Sequence, residues 1–352
     1  MKTVRIAVRN NEHTIKFGIG ALYALAEAPA ILSADAVCVV ADTNTARFIP
    51  QVRGVLPALP VYEVTLAPGE THKTPETVVE LCRAFARYGL TRESTVIALG
   101  GGVVGDITGF AASCYMRGIR CVQLPTTLIA MTDSAVGGKT GVDLPEGKNL
   151  FGAFHQPSAV IAELRFLDTL PEREIKAGLG EILKYYGLGA FPNASLDAFP
   201  LTQTSMLSDA FESVISDCVA YKARVVEEDE LDVGKRRFLN FGHSFGHALE
   251  KMHNFKTYTH GEAVTFGIII ALRVGVKLGI TAPDTSDSML SAAAKMGLVT
   301  DSGVSPAELL PHMRGDKKNV RGIIRLVMLR QIGEPLIYEI TESELNSVLE
   351  GL

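Results

Sequence analysis

The chain has little that would staple it, anchor it or draw it to a polyanion. Its five cysteines, Cys38, Cys82, Cys114, Cys121 and Cys218, are scattered, odd in number and in no Cys-x-x-Cys pair. That argues against a disulfide framework and fits the reduced thiols of a cytosolic protein. The longest apolar run, AVTFGIIIAL, has ten residues, about half of what a bilayer-crossing helix needs. The start, MKTVRIAVRNNE, lacks the apolar core of a signal peptide, so we expect a cytoplasmic protein with no membrane partner. There is no low-complexity segment and no internal repeat. Positive charge is not in excess: the net charge is −5. A nucleic-acid partner is therefore not expected, although a local basic pocket could still hold a small anion. What is present, 47% hydrophobic and 21% charged residues, is the balance of an ordinary globular protein. A length of 352 residues allows a large core and two domains.

Histidine is the residue whose distribution stands out. Four of the eight fall within Arg236–Glu262, RRFLNFGHSFGHALEKMHNFKTYTHGE. His243 and His247 are four apart in a segment with helical apolar spacing (Phe241, Phe245, Ala248, Leu249). Such a pair shares one helix face and can address one site. His260 follows a polar connector, just before the apolar run. Neutral imidazoles this close suit a borderline divalent ion such as Zn²⁺. Capping or core histidines are the plain alternative.

In the first half, residues 1–60 read as short strands and a helix. Ala36–Ala41 (AVCVVA) is a β-branched strand ending in Asp42-Thr43-Asn44, and strand ends are where α/β sheets place ligand contacts. Pro68–Thr74 is a loop opening a helix, with Glu70 and Lys73 as ligand contacts or as helix-start charges. Thr95–Leu99 reads as a buried strand that runs into Gly100-Gly101-Gly102, then Gly105-Asp106 and a helix. The glycines let backbone approach a phosphate, and the helix start offers free N–H groups. Gly100, Gly102 and Gly105 satisfy G-x-G-x-x-G, but no acidic residue stands about 20 positions on to hold a ribose. The reading is a pyrophosphate-cradling loop in a Rossmann-like domain unlike that of a standard dehydrogenase. A strand at Cys121–Leu124 leads to the hydroxyls of Thr126 and Thr127, which suit ribose or phosphate. In Asp133–Asn149, DSAVGGKTGVDLPEGKN, Lys139 and Lys148 stand in glycine-rich, flexible surroundings as anion-binding charges. Arg117, in YMRG, adds another candidate anion contact, and a solvated lysine is the default reading of Lys139 or Lys148 taken alone.

The domain boundary is placed at 169/170, giving domains 1–169 and 170–352. Thr169-Leu170-Pro171-Glu172 reads as a helix start, with Thr169 as N-cap and Glu172 as its capping-box partner. The helix runs to Gly187 and puts Glu181 and Lys184 on one face. They form a surface ion pair or, with two histidines, Glu181 completes a three-ligand catalytic metal set. Val214–Glu230 is another helix, carrying Lys222. Arg236 and Asn240, seven and three residues before His243, are expected on the same helix face as it. The C-terminal part reads as helical up to Asp316-Lys317-Lys318-Asn319, then a strand (Ile323–Met328) and a closing helix.

Taken together, GGGVVGDITGFAA, YMRG, LPTTLIAMTDSAVGGKTGVDLPEGKNLFGAFHQP, LPERE with KAGLGEILKYY, LNFGHSFGHALE and THGEAV closely resemble the 3-dehydroquinate synthase family of sugar-phosphate cyclases. They span most of the chain in the family's order and spacing. The resemblance implies an α/β fold with an N-terminal Rossmann-like NAD-binding domain and a mostly α-helical C-terminal domain for metal and substrate. It implies NAD⁺ contacts at Asp42, Asn44, Glu70, Lys73, Gly101, Gly102, Asp106, Thr126, Thr127, Phe166 and Thr169, with Lys139 and Lys148 beside them. It assigns a divalent metal, zinc or cobalt, to Glu181, His243 and His260, and leaves His247 as a proton-handling or phosphate-contacting neighbour. Substrate positions match Asp133, Lys139, Lys148, Asn149, Lys184, Lys222, Arg236, Asn240, Lys317 and Lys318. Arg117 matches an arginine that reaches a neighbouring subunit, which implies a homodimer. The implied reaction converts 3-deoxy-D-arabino-heptulosonate 7-phosphate to 3-dehydroquinate by transient oxidation, phosphate elimination, reduction, ring opening and aldol closure.

Three departures stand against the family pattern: Gly180 where alanine is commoner, Asp143 where many members have asparagine, and a poorly matching Gly189–Met206. The competing expectations are a sister cyclase of the 2-deoxy-scyllo-inosose or valiolone type, a metal-dependent polyol dehydrogenase, and a non-enzymatic binding protein. The intact GGKTG stretch, the many basic residues and the complete ligand set argue against these in turn.

Overall fold

Two apolar stretches set the frame of the first half. Val37–Asp42 and Thr95–Gly100 are rich in β-branched residues and almost wholly buried, as parallel strands covered on both faces must be. In the computed structural model, which describes residues 1–9, 11–191, 207–313 and 323–352, they are strands β3 and β5 of a seven-stranded sheet. The others are β1 (Lys2–Val8), β2 (Asn11–Gly18), β4 (Val61–Leu66), β6 (Arg120–Pro125) and β9 (Ala159–Glu163), in the order β1-β2-β9-β6-β5-β3-β4. All neighbours pair in parallel except β1 and β2, an antiparallel hairpin at one edge. Short helices α1 (Pro29–Leu32) and α2 (Ile49–Val55) come first, then α3 (Pro75–Arg87) and α4 (Gly102–Cys114). Leu81, Phe85, Ile107 and Phe110 of α3 and α4 pack with Cys38, Val40 and Val96 in one apolar core.

The chain leaves β3 outward to β4 and returns across it to β5. Such a reversal opens a crevice at the strands' carboxyl ends, where α/β sheets bind ligands. Asp42 and Gly100–Gly102 stand at those ends, and the Thr45 hydroxyl bridges them by donating to Leu99 O at 2.9 Å.

The segment read as flexible and glycine-rich is ordered. Lys139–Leu144 (β7) and Gly147–Phe154 (β8) form an antiparallel hairpin of their own. Glycine at positions 141 and 152 lets the two backbones pair where side chains would collide: a Cβ at Gly141 would lie 3.0 Å from Phe151 O.

The chain divides into two compact units. The first is Met1–Leu170 with Lys222–Leu231, and the second is Pro171–Tyr221 with Asp232–Leu352. The segment Lys222–Leu231, which the sequence division puts in the second half, thus groups with the first. The second unit is mostly helical: α5 (Glu172–Gly187), most of α6 (Asp209–Glu228), α7 (His243–Met252), α8 (His260–Lys277) and α9 (Pro283–Lys295), with an antiparallel pair, β10 (Ile323–Leu329) and β11 (Pro335–Thr341), and a closing helix Glu342–Leu349. The architecture is therefore the expected α/β class, a Rossmann-like sheet followed by a helical part. Among the described residues no helix is long and apolar enough to cross a membrane.

Two local expectations fail. The capping box at Thr169 does not form: α5 begins at Glu172 after Pro171, with no side-chain cap. The Thr169 hydroxyl instead donates to Phe166 O (3.2 Å) and accepts from Arg47 (2.8 Å). A capping box stands at the start of α8, where Thr259 and Glu262 satisfy each other's backbone N–H groups. Arg236 and Asn240 do not share a helix face with His243 either. They lie in a separate 3-10 turn, Lys235–Asn240, and Gly242 (φ 80) breaks the chain's path before α7 begins.

Candidate functional site

In the second unit, three helices deliver three metal-type donors to one point. Glu181 comes from α5, His243 from the first position of α7 and His260 from the first position of α8. Their ligand atoms lie within 4.8 Å of one another. Glu181 Oε1 is 3.2 Å from His260 Nε2 and 3.6 Å from His243 Nε2.

Glycines beside the ligands make this convergence sterically allowed. A Cβ at Gly261 would stand 2.5 Å from Ala177 Cα and closer still to its carbonyl. A Cβ at Gly180 would meet Gly261 O and lie 2.8 Å from Thr265 Oγ1. Helices α5 and α8 therefore touch backbone to backbone one residue from Glu181 and from His260. At Gly242 the positive φ, and Ile268 Cγ1 only 2.5 Å from any Cβ, leave room for glycine alone. An alanine at 180 would not fit this helix contact.

The donor set fits a divalent ion. His243 is buried, and its Nδ1 stands 3.1 Å from Phe241 O, which makes Nδ1 the protonated nitrogen and aims the Nε2 lone pair at Glu181. Burial, with Lys184, His260 and His247 adding to it against Glu181, holds its pKa well below the ordinary value, so its imidazole is neutral. For His260 burial lowers the pKa, but contacts with Glu181 and Glu250 outweigh it and push it up to about 10. Glu250 Oε1 lies 3.5 Å from His260 Nδ1, the place of the carboxylate that orients a metal-bound imidazole. Sequence reasoning did not single Glu250 out; its position seven residues after His243, on the same helix face, was the available signal. Two imidazoles and a carboxylate oxygen are three donors, the number of protein ligands found in catalytic rather than structural zinc sites.

Lys184 stands against this cluster. Its Nζ is 2.6 Å from Glu181 Oε2, and both side chains are buried, at 1% and 0% exposure. The surface ion pair that the i, i+3 spacing allowed is thus excluded. His247 is on α7 but exposed, its ring 5.3 Å from that of His243 and 5.9 Å from that of His260. It also forms, with Glu250 and His260, a second group of donors within 4.8 Å. Arg236 is buried, and Asn240 donates to Arg237 O at 3.0 Å.

The first unit gathers a different set. Lys73, buried, lies 2.6 Å from Asp106 Oδ2 and donates to Asn149 Oδ1 at 2.6 Å. Burial alone would lower the Lys73 pKa, but Asp106 and Glu70 hold it above the ordinary value. Lys148 Nζ is 3.4 Å from Glu70 Oε1. Lys222 is fixed to Asp133 by its carboxylate (2.6 Å) and its carbonyl (2.7 Å). The first unit thus brings together Glu70, Lys73, Asp106, Lys148 and Asn149. Lys139 opens β7 and is exposed, and Arg117 has a positive φ of 64°.

The glycine loop fits a pyrophosphate. Helix α4 starts at Gly102 after Gly101 with no side-chain cap, so its first N–H groups remain for an anion. A Cβ at Gly101 would lie 2.9 Å from Thr127 Cγ2, so the backbone is the surface there. The Thr127 hydroxyl accepts from Ala130 N, and Thr126 N donates to Gly100 O. Asp42 Oδ1 accepts from Asn44 N and Thr45 N, both at 2.9 Å. Phe166 is buried against Phe48. Lys317 and Lys318 lie outside the described residues.

Residues 63–177 match the model of the 3-dehydroquinate synthase N-terminal family, and residues 178–319 that of the 3-dehydroquinate synthase C-terminal family. A 3-dehydroquinate synthase of Xanthomonas oryzae pv. oryzae (strain PXO99A) is 39% identical over 356 residues, covering 94% of this chain and 95% of that protein. Among solved structures, a 2-deoxy-scyllo-inosose synthase complexed with carbaglucose-6-phosphate, NAD⁺ and Co²⁺ superposes with a TM-score of 0.89 at 24% identity, over 99% of this chain and 100% of that one. The 2-epi-5-epi-valiolone synthase of Streptomyces hygroscopicus subsp. jinggangensis 5008, with NAD⁺ and Zn²⁺ bound, gives 0.84 at 26% identity, over 98% of both chains. On the matched models and the identity across nearly its whole length, the chain belongs to the 3-dehydroquinate synthase family.

Proposed function

We propose that the protein converts 3-deoxy-D-arabino-heptulosonate 7-phosphate to 3-dehydroquinate and phosphate in the cytoplasm. The observation that carries this is the Glu181–His243–His260 cluster, with Glu181 and His243 buried, His260 half-buried and Lys184 against it, in a chain of this family. The net change is a phosphate elimination and a carbocycle closure with no net oxidation, so NAD⁺ is needed only in catalytic amounts.

Bound NAD⁺ supplies a reversible hydride acceptor, and a bound divalent ion, zinc or cobalt, supplies Lewis acidity. Relatives of the same fold contain NAD⁺ with Co²⁺ or Zn²⁺. Glu181, His243 and His260 would hold the ion. The Gly101–Gly102 backbone would meet the pyrophosphate, with Asp42, Asn44, Glu70, Lys73, Asp106, Thr126, Thr127, Phe166 and Thr169 around the rest of the dinucleotide. Lys184, whose ammonium the Glu181 carboxylate holds at 2.6 Å, would hold or release a proton on a substrate hydroxyl. His247, exposed on the turn after His243, handles a further proton. Lys139, Asn149 and Arg236 hold phosphate, and Asp133, Lys148, Lys222 and Asn240 orient the sugar. Arg117 reaches the partner subunit of a homodimer.

The test is a coupled phosphate-release assay with the heptulosonate phosphate, Zn²⁺ or Co²⁺, and NAD⁺ well below substrate. Many phosphates released per NAD⁺, without lasting NADH absorbance, support the cyclase. Turnover of glucose 6-phosphate or sedoheptulose 7-phosphate alone assigns a sister cyclase, and NADH accumulating with a polyol assigns a dehydrogenase.

A further inference from the structure

Strands β7 and β8 pair regularly from Lys139↔Phe154 to Val142↔Phe151, and then the register shifts between Val142 and Leu144. Asp143 alone on β7 then stands opposite three residues of β8, Lys148, Asn149 and Leu150, so the extra residues lie on β8, and such irregularities re-aim side chains. Freed from the ladder, the Asp143 N–H donates to Lys73 O at 2.8 Å. Its Oδ1 accepts from Asn149 N, also at 2.8 Å. Lys73 Nζ in turn donates to Asn149 Oδ1 at 2.6 Å. The three residues close a ring of hydrogen bonds: Asp143 to Lys73, Lys73 to Asn149, Asn149 to Asp143.

Two consequences follow for Asn149. Its φ is 53°, a left-handed conformation that asparagine adopts more readily than most non-glycine residues. The Asp143 carboxylate, accepting from its N–H, ties that backbone conformation to β7. The side-chain amide is also oriented. An ammonium has donors and no acceptor, so Lys73 can bond only the amide oxygen, and the Nδ2 edge must face away. Among the described residues none accepts from Nδ2, and Asn149 is exposed.

We propose that Asp143 is a positioning residue that, with Lys73, holds Asn149 as an outward-facing hydrogen-bond donor to a phosphate or hydroxyl oxygen of the sugar-phosphate substrate. This rests on the function proposed above and assigns that site a positioning residue outside the substrate contacts named there. The bond from Asn149 N needs only an acceptor at position 143. An asparagine oxygen serves as well as a carboxylate, whereas alanine does not.

The experiment compares Asp143→Ala, Asp143→Asn and Asn149→Asp with wild type, each loaded with Zn²⁺, reading substrate KM and kcat, NAD⁺ Kd and inhibition by inorganic phosphate. Asp143→Ala should raise substrate KM about tenfold or more while NAD⁺ Kd stays within about twofold. Asp143→Asn should return KM to within about threefold of wild type. Asn149→Asp keeps the fold but puts an acceptor on the outward edge, and it should raise KM at least as much as Asp143→Ala. Weaker inhibition by inorganic phosphate in both damaging variants assigns the donor to the phosphate group; unchanged inhibition with raised KM assigns it to a hydroxyl. Wild-type KM in Asp143→Ala or in Asn149→Asp overturns the inference. So does an Asp143→Asn enzyme no better than Asp143→Ala, or losses in NAD⁺ affinity that parallel those in KM. If wild type turns over no sugar phosphate at all, the functional reading itself fails, and the inference with it.

Discussion

Replacing Gly261 by alanine tests whether the metal site is built by helix contact. The new Cβ would lie 2.5 Å from Ala177 Cα and closer to its carbonyl, where ordinary contact begins at 3.4 Å. Neither obstacle is the end of a flexible side chain; both are backbone. Helices α5 and α8 must therefore separate by about 1 Å or more, and overpacking of this kind costs about 1–3 kcal/mol. Ala177 is one turn before Glu181, and Gly261 is next to His260, so the separation falls directly on two of the three ligands. Metal sites tolerate about 0.2 Å in ligand distance. We expect Zn²⁺ affinity to fall at least about tenfold, in the range seen when a ligand's supporting contacts are removed. The assay is competition with a chromophoric chelator, with the visible spectrum of the Co²⁺ form reporting ligand geometry. Gly54→Ala is the control, since nothing lies within 4 Å of its Cβ position and its φ is ordinary; that helix should gain slightly from the change. Wild-type Zn²⁺ affinity and an unaltered Co²⁺ spectrum in Gly261→Ala would refute the argument that backbone contact sets the ligand geometry.

Other outcomes follow from the same structure. His260→Ala should lose metal and activity together, because a two-ligand site binds weakly; full metal occupancy by atomic absorption would show that His260 is not a ligand. Removing the ion with a chelator should stop phosphate release but leave NAD⁺ binding, read by fluorescence quenching, within about twofold of the loaded protein if the two cofactor sites are built independently. Arg236→Lys should impair substrate use much more than NAD⁺ binding if the buried Arg236 holds phosphate as proposed, because a planar guanidinium fork can bond phosphate in a way an ammonium cannot; equal losses would contradict the phosphate assignment. His13 supplies a pH prediction. Burial in β2 lowers its pKa from 6.5 to about 4, so below pH 6.5 the unfolded chain binds a proton that the folded chain refuses. Stability should fall as pH drops from about 6.5 to about 4, by up to about 3 kcal/mol. His13→Gln should flatten that part of the urea-denaturation profile, and an unchanged slope would assign the acid sensitivity elsewhere.

The parts of the site legible in the sequence are those fixed by local periodicity or by motif. His243 and His247 fall on one helix as their spacing requires, and the glycine loop follows a buried strand because Thr95–Gly100 reads as nothing else. Contacts between distant segments were not legible. The i, i+3 spacing of Glu181 and Lys184 has the same appearance on a surface helix and in a core, and only tertiary packing makes it a buried pair. Helical spacing also misled where glycine intervened: Arg236 and Asn240 keep the right intervals to His243, but Gly242 at φ 80 ends the regular path that those intervals assume. In the stretch around Lys139 and Lys148, glycine was read as flexibility. Glycines 141 and 152 instead permit a close strand pair, and the charged residues between them are held by bulge geometry. The same residue type thus signals opposite things according to what lies across from it. Gly180 makes the point for the metal site: as a departure from a family pattern it carried no meaning, and its meaning appears only when the Gly261 carbonyl is found where its side chain would be. The motifs name candidate ligands; the spacing between the helices that present them is set by what is missing from the residues next door.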